Sequence, residues 1–144
     1  MDTEAMAMKL LRLMEALPRR APQNWLGEFS RGELFLLNYL YSNGGTAWPS
    51  ILSDAMQTST ARIAAVLNSL ERKGWIRREP DHDDHRRKVV HLTAEGSEYI
   101  EKCLGKVLRN VTQLLNELGE EDASEYLRIT QRMEAISRTF EFES

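Results

Sequence analysis

Cysteine is nearly absent: Cys103 stands alone in 144 residues, so no intrachain disulfide can form and a cysteine-based zinc cluster is excluded. Proline and glycine are sparse, at four and eight residues, which argues against a disordered or fibrous chain. No run approaches the roughly 18 uninterrupted apolar residues of a membrane span, so no membrane partner is expected. The opening Met1-Asp2-Thr3-Glu4 has no basic region leading into an apolar run. A secretory signal is therefore not expected, and the expected location is cytoplasmic. A nucleophile–base constellation, a phosphate-cradling glycine loop and a metal-ligand cluster of adequate spacing are also missing. The chain reads as a non-enzyme with no cofactor and no metal.

What is present suits one globular domain. Hydrophobic residues make up 42% and charged residues 28%, enough apolar material for a core. Net charge is −3, but it is unevenly placed. Between Gln57 and Leu92, eight Lys/Arg face five Asp/Glu, a local +3, which leaves −6 for the remainder. A phosphate backbone responds to charge within a Debye length, so this basic segment is a candidate nucleic-acid footprint.

Apolar periodicity organises the chain. Met6, Leu10, Leu13, Met14 and Leu17 predict an amphipathic helix over 3–17, ended before Pro18. A connector over 18–29 follows. Ser30-Arg31-Gly32-Glu33 fits a capping box, and the run from Leu34 to Tyr41 suits a mostly buried helix stopped by Gly44-Gly45. Trp48-Pro49 opens a short helix to about Met56, with proline in the first turn. Ser59 or Thr58 caps the next helix, which runs to Lys73 and stops at Gly74. Two short helices joined by a tight turn make a helix-turn-helix. Trp75–Arg78 and Val89–Leu92 then read as the strands of a β-hairpin with a long charged tip, which after a helix-turn-helix is a wing. Thr93 caps a long helix with the stripe Ile100, Leu104, Val107, Leu108, Val111, Leu114, Leu115 and Leu118. After Gly119 a last helix carries Ala123, Tyr126, Leu127, Met133, Ile136 and Phe140. The terminal helices can pack on each other or on those of a second copy.

The segment Ser59-Thr60-Ala61-Arg62-Ile63-Ala64-Ala65-Val66-Leu67-Asn68-Ser69-Leu70-Glu71-Arg72-Lys73-Gly74-Trp75-Ile76 closely resembles the recognition helix and following strand of MarR-family regulators. Asp84-His85-Arg86 fits that family's Asp-x-Arg wing element, and Leu92-Thr93-Ala94-Glu95-Gly96 fits its Leu-Thr-x-x-Gly entry to the long helix. The match covers roughly residues 30–100. It implies a mainly α fold with a small β-hairpin: a winged helix-turn-helix core over 30–92, with dimerisation helices over 1–20 and 93–144 in a single domain. The implied function is a homodimeric, sequence-specific regulator of transcription, mostly a repressor. It would bind a pseudo-palindromic operator in double-stranded DNA and, in many relatives, be released by a small aromatic effector or an oxidant. The competing reading is a winged-helix module that binds protein and not DNA.

Helical phase assigns the binding residues. At about 100° per residue, Ile63, Val66, Leu67 and Leu70 share the core face. The opposite face holds Ala61, Ala65, Asn68 and Arg72, flanked by Arg62, Ala64 and Ser69, and begins near Ser59 and Thr60. That face is expected to enter the major groove: alanines against thymine methyls, Asn68 on adenine, Arg62 on guanine or phosphate. It is poorer in polar residues than family members often are, and three alanines also simply make a good helix. Arg86 is the candidate for the minor groove, with Asp84 holding its guanidinium in a bidentate pair. The plainer reading is a solvated turn. Arg87, Lys88, Arg77 and Arg72 are backbone-contact candidates. Dimerisation is assigned to Leu10, Leu13, Leu17, Val111, Leu115, Leu118, Met133, Ile136 and Phe140. His82 with His85 as metal ligands and Cys103 as a redox sensor are minor readings. His91 is expected on the strand surface. Trp25, Phe29, Tyr39 and Trp48 are expected to pack rather than to line an effector pocket.

Overall fold

A computed structural model describes residues 2–18 and 32–141. These residues form six helices and three strands: α1 (Thr3–Ala16), α2 (Gly32–Ser42), β1 (Thr46–Ala47), α3 (Pro49–Met56), α4 (Thr60–Arg72), β2 (Ile76–Pro80), β3 (Lys88–Leu92), α5 (Ala94–Leu118) and α6 (Glu120–Ser137). The mainly helical class and the winged helix are as expected. Two compact units divide the chain, Met1–Gly105 and Lys106–Ser144. Among the described residues no helix is long and apolar enough to cross a membrane.

In the first unit, α2, α3, α4, the sheet and the first turns of α5 share one core. It comprises Leu36, Leu37, Leu40, Leu52, Ile63, Leu67, Leu70, Ile76, Val90 and Ile100, with Tyr39, Val66, Trp75 and Cys103 packed at its edge. The helical phase of α4 is as reasoned: Ile63, Leu67 and Leu70 are buried and Val66 half-buried, with Ala61, Ala65, Asn68 and Arg72 exposed. Cys103 is half-buried at the same edge.

Local chemistry sets the turns. Ser59 caps α4, its Oγ accepting the Arg62 N–H at 3.3 Å. Gln57, the last residue of the α3 turn, sits at φ 51°, a left-handed conformation that normally costs a non-glycine residue about 1 kcal/mol. The buried Ser53 offsets that cost by donating its hydroxyl to the Thr58 carbonyl at 2.8 Å and fixing the reversal into α4. At the far end of α4, Gly74 takes φ 76°, and the chain turns into β2.

The sheet departs from the expected hairpin. It has three antiparallel strands in the order β1-β3-β2, with β1 pairing Thr46 to His91 and Ala47 to Val90. Two residues hold no alternation, so β1 left no pattern to read. The hairpin strands are also displaced from their expected bounds. Trp75 precedes β2, and pairing runs from Ile76↔Leu92 out to Pro80↔Lys88, so the connecting loop is shorter than reasoned. Pro80 is tolerated because β2 is an edge strand.

Ser30, the other member of the expected capping box, lies outside the described residues, as do Trp25, Phe29 and most of the connector. The Glu33 carboxylate accepts from Ser69 Oγ at 2.5 Å and Lys73 Nζ at 2.6 Å, tying α2 to α4. Burial pushes its carboxyl up, but the hydrogen bonds from Lys73 and Ser69 outweigh this and hold it below the usual value.

The start of α5 is locked to the end of α4. Thr93 Oγ1 donates to the Gly74 carbonyl at 2.6 Å and accepts the Gly96 N–H at 3.0 Å, while the Thr93 N–H reaches the Trp75 carbonyl at 3.0 Å. A Cβ on Gly96 would lie 2.0 Å from the Trp75 carbonyl oxygen. Only glycine fits. Trp75 also stacks on Tyr99 with ring centroids 3.8 Å apart.

α1 is capped by Asp2, which accepts the Ala5 N–H at 3.0 Å, and it buries no residue. Leu10 and Leu13 in this helix are exposed, the latter by 57%, and so is Leu17 just beyond it. In the second unit Val111 and Leu115 are half-buried. Leu118, Met133, Ile136 and Phe140 are exposed, Met133 by 60% and Phe140 by 66%.

Two outcomes test this description. Gly96→Ala should lower unfolding stability by about 1–3 kcal/mol or more, read from the denaturant midpoint, because the added methyl overpacks against backbone that cannot yield. Glu33→Gln should lower the midpoint at pH 7. A carboxyl with a depressed folded pKa stabilises above its unfolded value and loses that contribution as pH falls through the folded one. The gap between variant and parent should therefore close below about pH 4.

Candidate nucleic-acid interface

The exposed ridge of α4 is built from the residues that the core leaves over. Thr60 opens the helix, Arg62 lies exposed in its first turn, and Arg72 is its last residue. Among the described residues, the side chains of Arg62 and Arg72 have no hydrogen bond or ion pair. Asn68 does: its Oδ1 accepts from Arg78 Nη2 at 2.7 Å. The same guanidinium grips Glu71 through Nε at 2.9 Å and Nη2 at 3.2 Å. These hydrogen bonds lower the Glu71 carboxyl and raise Arg78. Lys88, at the outer end of the paired strands, also acts on Glu71 through its charge.

The wing tip is ordered by its own backbone. Arg87 N–H bonds to the Asp84 carbonyl at 3.0 Å, and Asp81 N–H to the Arg87 carbonyl at 2.8 Å. The Asp84 carboxylate accepts the backbone N–H of Arg86 at 3.1 Å. This corrects the expected pair: Asp84 organises the turn through an amide and not through the guanidinium. The short side chain of Asp reaches the N–H two residues on more readily than a long flexible arm. The Arg86 guanidinium is exposed, with no partner among the described residues. Arg87 lies over the Trp48 ring at 4.7 Å and joins the tip to the start of α3. Lys88, the first residue of β3, is exposed.

Other candidates fall away from this surface. Arg77 is paired with Glu79 at 2.8 Å. His91 packs between Thr46, at 3.1 Å, and the Glu79 carboxylate, at 3.6 Å. Among the described residues no group of three or more His, Cys, Asp or Glu is placed to hold a metal ion.

A free, exposed helix ridge beside an ordered cationic hairpin is the surface that a winged helix turns toward DNA. The MarR family model matches residues 29–88. Over those residues the winged helix of this chain is similar to that of the MarR family. Among curated relatives of the MarR-type segment, the HTH-type transcriptional regulator PecS of Dickeya dadantii is 28% identical over 86 residues, 60% of this chain and 52% of that protein. The transcriptional repressor MprA of Escherichia coli is 28% identical over 85 residues, 59% of this chain and 48% of that protein. The chain thus spans about half the length of these relatives. Among solved structures, the YusO protein of Bacillus subtilis matches with a TM-score of 0.73 at 21% identity, covering 92% of this chain and 94% of that one. This last likeness concerns the fold.

Sequence reasoning missed Arg78 as the partner of Asn68 and Arg87 as the cover of Trp48. Both pairs span different elements, and the one available signal was the placement of Arg78 two residues into β2, facing the α4 side. Asp84→Ala should leave the melting temperature nearly unchanged but speed hydrogen exchange at the Arg86 and Arg87 amides, since it removes the tip's side-chain acceptor.

Proposed function

We propose that this MarR-type protein is a homodimeric transcriptional repressor that binds a pseudo-palindromic operator. In this reading α4 enters the major groove, and Arg86 reaches the minor groove. The observation that supports it is the uncommitted state of the Arg62, Arg72 and Arg86 side chains, on a ridge and a hairpin tip that are otherwise well ordered. An arginine in a narrow minor groove meets concentrated negative potential, so a free guanidinium at the tip is worth more there than in water. The remaining site residues take supporting roles: Ser59 and Thr60 at phosphates beside the helix start, Asn68 at a base, and Arg87 and Lys88 along the backbone. The repressor assignment draws on the likeness to the transcriptional repressor MprA.

The dimer is supported by the apolar side chains left in water on α1, on α6 and just beyond α6, notably Leu10, Leu13, Met133 and Phe140. Apolar patches larger than an ordinary monomer surface carries mark an association site. A second copy supplies the matching face by two-fold symmetry, and the same symmetry explains a palindromic operator. Release by a small aromatic effector follows from the family resemblance, and a thermal-shift screen of aromatic acids would find the ligand.

Footprinting on DNA flanking the gene should show protection over roughly two helical turns, with log affinity falling steeply against log salt. Flat salt dependence and no footprint would sink the reading in favour of a protein-binding module. Arg86→Ala should weaken operator binding at least about tenfold while leaving the dimer intact. Leu13→Glu combined with Met133→Glu should yield a monomer by sedimentation and abolish binding to the full operator.

A further inference from the structure

We infer that Arg78 is a positioning residue that turns the NH₂ group of Asn68 into the groove and sets its base preference to guanine. The inference rests on the proposed insertion of α4 into the major groove and specifies what one side chain reads there. A guanidinium has donors and no acceptor, so the Asn68 amide atom that faces Arg78 at 2.7 Å is its carbonyl oxygen. Glu71 holds that guanidinium from the other side through two hydrogen bonds, at 2.9 and 3.2 Å. A carboxylate engaged on both oxygens fixes the plane of the fork, and the fork then fixes the rotation of the amide.

The bond from Arg78 takes one of the two lone pairs of Oδ1 and turns the oxygen end of the amide toward β2, so the NH₂ group is the end left for the groove. Bidentate adenine recognition requires an asparagine to accept from N6 and donate to N7 at once, and the accepting end is turned away. Guanine offers N7 and O6, two adjacent acceptors, which suit a pair of N–H donors. Adenine would leave its N6 amino group facing another donor. Elsewhere on the ridge Ala61 and Ala65 favour thymine methyls, and Arg62, in the first turn of α4, serves another position. The sequence alone suggested adenine for Asn68; the clamp reverses it.

The experiment is selection of operator half-sites from random DNA by the full-length dimer, repeated with Asn68→Ala and Arg78→Met. The position at which Asn68→Ala loses its preference, while the others persist, identifies the Asn68 contact. At that position the parent protein should favour guanine over adenine by about tenfold, one polar contact's worth of discrimination. Arg78→Met frees the carbonyl and should move the preference at that one position toward adenine. A merely structural role for Arg78 would lower all affinities together and move no base. Adenine at the Asn68 position in the parent, or guanine retained by folded Arg78→Met, would overturn the inference. So would an Asn68→Ala profile identical to the parent's. Should Arg78→Met melt early, the parent's base at the Asn68 position decides alone. Recovery of no enriched sequence by any form of the protein would instead remove the DNA reading itself.

Discussion

The winged core depends on one backbone approach, the first turn of α5 lying against the Trp75 carbonyl. A carbonyl oxygen cannot be compressed or rotated aside, so the absence of a side chain at Gly96 decides whether the two segments meet. Thr93 completes the junction by bonding to both Gly74 and Gly96. The end of α4, the root of the hairpin and the start of α5 are therefore one hydrogen-bonded knot. Ile100, one turn beyond Gly96, reaches the core only because that turn is held so close. The Leu-Thr-x-x-Gly sequence is legible in these terms as a cap followed by a clearance.

Much of the fold was visible in the sequence because its decisive interactions are local or periodic. The four-residue spacing of Ile63 and Leu67 fixed the inner face of α4. The Ser59 cap, the Gly74 stop and the Gly119 break each act within one turn of their own position. The features that escaped depend on residues far apart in the chain. Nothing near Glu33 announces Ser69 or Lys73, and nothing near Asn68 announces Arg78, ten positions away on another element. The carboxylate of Asp84 was assigned to the more obvious charge, whereas a nearby amide holds it. β1 is too short to show a period, and it exists because β3 has an edge to offer.

The electrostatic pattern separates two kinds of cation. Along the later helices, Lys102, Arg128 and Arg138 pair with Glu98, Glu125 and Glu134 at the three- or four-residue spacing of one helix face. Such exposed pairs contribute little. Within the winged core, Lys73 and Arg78 are held by carboxylates on other elements, and Arg77 by Glu79 two residues along the same strand. Among the described residues, Arg62, Arg72, Arg86 and Lys88 have no such ion pair, so a net anionic chain presents unpaired positive charge on the helix ridge and the hairpin, as local attraction to phosphate needs.

The guanidinium of Arg87 resting over Trp48 gives the hairpin tip an optical label of its own. Indole emission depends on what covers the ring, and a cation is a different cover from water. Any swing of the tip must strip that ring, so the freedom of the hairpin and the colour of one tryptophan rise and fall together.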